Sequence, residues 1–89
     1  MLELSLSMPL ALGWKAIRAT LVEIGSPLVL ISLKPQASNA EQHVRLDLGK
    51  RMFIDQAGEA PAAVQDSLIG KANEIAQLVS TGIVEKLAG

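Results

Sequence analysis

The sequence has no cysteine and no tyrosine, a single histidine, and only two aromatics, Trp14 and Phe53. Without thiols there can be no disulfide, thiolate nucleophile, zinc–thiolate centre or iron–sulfur ligation, so a small chain must hold together by apolar packing or by association. One histidine cannot supply the three or four nitrogen or sulfur donors that an ordinary zinc site needs. Charge is nearly balanced, with eight Lys/Arg against nine Asp/Glu and a formal net charge of −1. That balance gives no long-range field to draw in nucleic acid or an anionic membrane, although it leaves room for a local patch. The most apolar long window, residues 17–33, is interrupted by Arg18, Glu23, Gly25 and Pro27, which predicts no membrane-spanning helix. Met1-Leu2-Glu3-Leu4 lacks the basic region that opens a signal peptide, and a cytoplasmic location is expected by elimination. The glycines are scattered and never form a phosphate-binding turn into a helix.

What is present is aliphatic. Of 89 residues 49% are hydrophobic, whereas a chain of that size hides only roughly 60–65% of its unfolded surface. The excess predicts a covering partner, most simply a second copy. No internal repeat or shift in composition divides the chain, so one small domain spanning residues 1–89 is expected.

Leu2, Leu4 and Leu6 alternate with Glu3, Ser5 and Ser7, the period of two of a half-buried strand. From Leu10 the apolar residues Trp14, Ile17, Leu21 and Ile24 follow at spacings of four and three, with Ser7 and Pro9 as opening signals and Gly25 and Pro27 as stops. Together these predict a helix over residues 8–24. A competing reading makes residues 16–24 a strand, since Thr20, Leu21, Val22 and Ile24 fit a pleated surface. Leu28 to Leu33 reads as a doubly covered strand, and residues 34–42 as a loop containing Pro35, Ser38 and Asn39. His43 to Leu48 alternates again, and Gly49-Lys50 turns the chain into a strand at residues 51–55. After a connector at residues 56–60, Pro61 opens a long helix. Its apolar arc runs through Val64, Leu68, Ile69, Ala72, Ile75, Ala76, Val79, Ile83 and Leu87, with a break or kink expected near Gly82. The expected fold is therefore α+β, in the order β-α-β-β-β-α, with about four mainly antiparallel strands and both helices packed on one face.

Candidate functional residues are few. Glu41, His43, Arg45 and Asp47 share one face of a regular strand, which suits a solvated surface or cross-strand pairing. No motif supplies a nucleophile for His43 to activate. Arg45, Lys50 and Arg51 form a basic hairpin patch able to meet an anion or nucleic acid, but readers of single strands add aromatic platforms for stacking, so nucleic acid is the alternative rather than the first expectation. Trp14, Leu78 and Val84 are candidate interface residues: Trp14 as a large aromatic, although its register with Leu10, Ile17 and Leu21 places it first in the core, and the other two because they flank or leave the apolar arc. Asp66-Ser67-Leu68 resembles, in three letters, the phosphopantetheine attachment motif of acyl carrier proteins. In that family the motif opens a helix followed by about two more helices, whereas here 21 residues remain after Leu68 and strands precede it, so no role is carried over to Ser67. No triad, paired-carboxylate motif, metal set or cofactor loop appears. The expectation is a non-catalytic interaction module that self-associates as a homodimer and binds another protein, with no catalytic residue, cofactor or metal.

Overall fold

The computed structural model describes residues 1–54 and 60–89; the connector expected at residues 56–60 therefore lies outside the described residues except for Ala60. The fold is α+β. Five strands, β1 (Leu2–Pro9), β2 (Trp14–Leu21), β3 (Leu28–Pro35), β4 (Gln42–Asp47) and β5 (Met52–Phe53), form one antiparallel sheet in chain order, followed by two helices, α1 (Ala62–Gly70) and α2 (Ala72–Ala88).

The helix expected over residues 8–24 is not formed. In its place β1 runs on to Pro9, a 3-10 turn occupies Ala11–Gly13, and Trp14–Leu21 is a strand, so the competing reading of this segment is the better one. The reason lies in the register. Arg18 pairs with Ser32 and Ala16 with Leu33, which leaves Ile17 as an extra residue in β2. A bulge of this kind breaks the period of two: the core-facing residues of β2 are Ala16, Ala19 and Leu21, with Thr20 buried on the other side, so the alternation that marks a strand is missing from this segment. The signals taken for a helix stop serve a hairpin instead. Gly25 adopts a φ of 97° in the β2–β3 turn, a conformation glycine takes without penalty. The left-handed pair Leu12 and Gly13 makes the preceding reversal.

One face of the sheet carries the core. Leu2, Leu4, Leu6 and Met8 of β1 alternate inward with Ala19 and Leu21 of β2, Val29, Ile31 and Leu33 of β3, and Val44 and Leu46 of β4. Val64, Leu68, Ile75 and Val79 close this layer from the helical side. Residues 28–33 are thus not covered on both faces by the chain itself: Val29, Ile31 and Leu33 point into the core, while Leu28 and Leu30 stand on the other side. The long final helix is broken after Gly70 and not at Gly82. Gly82 lies inside α2 because the helix approaches β1 closely there; a Cβ at this position would fall 2.7 Å from Leu4 Cδ2. Leu87, placed on the apolar arc by periodicity, is 74% exposed in the last turn. Among the described residues no helix is long and apolar enough to cross a membrane.

Candidate functional site

With the helices on one side, the opposite face of the sheet is open, and its side chains follow from strand alternation and register. Lys15 lies directly opposite Lys34. Past the Ile17 bulge, Arg18, Ser32 and His43 form a row across β2, β3 and β4. Thr20, Leu30 and Arg45 form the next row, and Leu28, Asp47 and Met52 the one after it.

These rows divide the open face into two ends. At the polar end, Arg18 Nη1 donates to Ser32 Oγ at 3.3 Å and lies 3.6 Å from Glu41 Oε2. Ser32 Oγ is 2.9 Å from His43 Nδ1. The hydroxyl has one proton and two lone pairs, so beside the bond from Arg18 it either donates to Nδ1 or accepts from it, according to the His43 tautomer. The Ser32–His43 spacing suits a nucleophile and its base, but Ser32 is only 2% exposed, held between two side chains that use its hydroxyl as a bridge. The arrangement orients Arg18 and His43 rather than presenting an oxygen to a substrate. Among the described residues no acidic group reaches Lys15 or Lys34, although both are half-buried. Like charges directly opposed on a sheet are unfavourable, so this pair is a local surplus of positive charge. The apolar end carries Val22, Leu28, Met52 and Ile54, all exposed, and a shallow concavity there is lined by Thr20, Val22, Leu28, Leu30 and Arg45.

Four of the eight Lys/Arg side chains, Lys15, Arg18, Lys34 and Arg45, therefore stand on one sheet face, together with the acidic Glu3, Glu41 and Asp47. The hairpin patch expected from sequence is divided. Arg45 is on the open face, whereas Arg51 turns to the helical layer and donates to Asn73 Oδ1 at 2.6 Å. Lys50 sits in the turn, its backbone N–H bound to Asp47 Oδ1 at 2.9 Å. The face shared by His43, Arg45 and Asp47 is as read from alternation; what the sequence did not show is Ser32 and Arg18 beside His43, because cross-strand neighbours depend on register. Lys15 and Lys34 were missed altogether, the first hidden in the helix reading and the second at the start of the expected loop.

The candidate interface residues do not share a surface. Trp14 packs half-buried against the core. Leu78 and Val84 are both exposed on α2, but six residues apart they project about 120° from one another around the helix. Ser67 is structural: its Oγ accepts the Ala11 N–H at 3.0 Å and donates to the Val64 carbonyl at 2.8 Å, tying the 3-10 turn to α1. No cluster of three or more His, Asp or Glu side chains able to hold a metal occurs among the described residues. Comparison with protein-family models finds no match, and neither do comparisons with curated proteins and with solved structures.

Proposed function

We propose that this chain is a non-catalytic protein-binding module that docks an acidic, aliphatic segment of another protein on the open face of its sheet. The observation that carries this reading is the pair Lys15–Lys34, opposed on that face without a counter-charge among the described residues, on the same face as the apolar end at Leu30 and Leu28 and separated from it by the Arg18–Ser32–His43 row. A partner presenting carboxylates beside aliphatic side chains would neutralise the first and cover the second, the combination of apolar centre and charged rim that protein interfaces use. Two features favour a protein over nucleic acid. Trp14 and Phe53, the chain's two large aromatics, both pack against the core, so the open face lacks the aromatic platforms on which readers of single strands stack bases and offers only the His43 ring and arginine side chains. Its apolar end also has no use against phosphates. Docking of the face on its own copy would set like charges together, which costs rather than adds affinity.

Selection of a displayed random-peptide library on the immobilised chain tests the proposal. Recovered peptides are expected to combine Asp or Glu with Leu, Ile or Val, and to lose binding to a Lys15→Glu, Lys34→Glu double variant and to Leu28→Asp. Peptides without acidic enrichment, or binding indifferent to these substitutions, would overturn it. Retention of mixed DNA and RNA that falls steeply with salt and disappears in the double variant would instead make the face a nucleic-acid site.

A further inference from the structure

We infer that two copies of this chain pair antiparallel along β1, about a two-fold axis at Ser5, so that their sheets join and their α2 helices lie side by side. β1 is an edge strand of eight residues bonded on one side only, by β2. Its free side presents backbone donors and acceptors with little charge or proline to protect them, since Glu3 is its one charged residue and Pro9 stands at the last position; the one irregularity is a register shift against β2 between Ser5 and Met8, and Leu2 to Ser5 pair regularly.

The packing of α2 decides the occupant. α2 runs antiparallel to β1: Lys86 Nζ donates to the Met1 carbonyl at 2.9 Å, Gly82 packs on Leu4, and Lys71 and Glu74 flank the Ser7–Pro9 end. Leu78, 45% exposed, is level with Ser5 and Leu6, the two β1 residues that line the grooves on both sides of it. The lengths agree, since the rise from Leu78 to Lys86 is about 12 Å along a helix and the span from Ser5 to Met1 about 13 Å along a strand. A two-fold axis at Ser5 therefore carries Leu78 onto its own copy. Seven residues to either side, it places Lys71 opposite the partner's Glu85, once on each side of the axis.

In this register Lys71, which already pairs with Glu74 of its own helix at 3.5 Å, stands between that carboxylate and the one from the partner, and the strands oppose no like charges. Leu4 meets the partner's Leu6, and Glu3 meets the partner's Ser7. The lateral spacing is also that of packed helices. α2 touches both β1 and β2, so a helix above their seam stands about 5 Å from the two-fold axis, and the two helices are about 10 Å apart. The open sheet face takes no part, so this association and the docking of an acidic partner stand or fall separately.

Light scattering of the full chain across a dilution series is the test. Twice the 9.4 kDa chain mass is expected. Leu78→Lys should raise the dimer Kd at least about tenfold with unchanged circular dichroism. Lys71→Glu should weaken the dimer, and Lys71→Glu combined with Glu85→Lys should restore it, because the exchange rebuilds both ion pairs. A monomer at roughly 1 mM would overturn the inference. So would a dimer indifferent to Leu78→Lys, or a double variant no tighter than Lys71→Glu alone. If Leu78→Lys does not fold, the charge-exchange series decides.

Discussion

Lys15 and Lys34 illustrate how a residue can serve binding at a cost to the free chain. Turning this opposed like-charged pair into an ion pair with Lys15→Glu is expected to raise the unfolding free energy by about 0.2–1 kcal/mol, read by urea denaturation, while weakening capture of an acidic peptide. A gain in stability accompanied by a loss of binding is the signature of a site under functional tension. Two glycines give a second, purely structural contrast. A Cβ at Gly70 meets nothing within 4 Å, so Gly70→Ala should stabilise by about 0.5–1 kcal/mol through backbone entropy. Gly82→Val drives a branched side chain into Leu4 and should destabilise by about 1–3 kcal/mol; thermal melts of the two variants should move in opposite directions. Leu12 is held at φ 56° and is 69% exposed. The substitution Leu12→Gly should therefore stabilise by about 1 kcal/mol in the same melts, because a left-handed conformation costs an L-residue about that much. At this scale the sequence was informative where alternation held. His43, Arg45 and Asp47 were legible as one face, but the hydrogen bond between Ser32 and His43 was not, since it joins residues whose proximity exists only after β3 and β4 pair.

Among the elements, β1 and β4 were legible because alternation holds along them; β3 was legible as a strand from its aliphatic run, although not as one with an open face, and the C-terminal segment was legible as an amphipathic helical region. β2 was not. Its bulge at Ile17 puts one spacing of three, from Ala16 to Ala19, into an otherwise alternating strand, and Gly25 and Pro27 end a helix as readily as they build a hairpin. The break between α1 and α2 was expected twelve residues too late, at Gly82 rather than Gly70, because a glycine that permits close packing and a glycine that ends a helix look alike in a sequence. The join between the helical and strand regions at the 3-10 turn depends on Ser67. Ser67→Ala leaves the half-buried Ala11 N–H without its acceptor and should cost about 1–2 kcal/mol, measured by denaturation; an effect below about 0.3 kcal/mol would show that water replaces the hydroxyl at no cost.

For the whole molecule, a net charge of −1 conceals an uneven surface. The meander gathers Lys15, Arg18, Lys34 and Arg45 on the sheet face that the helices leave open, where Glu3, Glu41 and Asp47 offset part of them but none pairs with Lys15 or Lys34. The aliphatic excess is divided in the same way: most lies in the single core between sheet and helices, and the remainder is concentrated at the apolar end of the open face and along α2. Composition could indicate that surface remained to be covered, but only the topology shows where. Nuclear magnetic resonance titration of the isotopically labelled chain with an acidic, leucine-bearing peptide probes the docking face residue by residue. Shifts confined to the amides of Lys15, Arg18, Thr20, Leu30, Ser32 and Lys34, and lost in the Lys15→Glu, Lys34→Glu variant, are the expected result. Shifts centred on α2 or β1, or binding that survives both charge reversals, would contradict it.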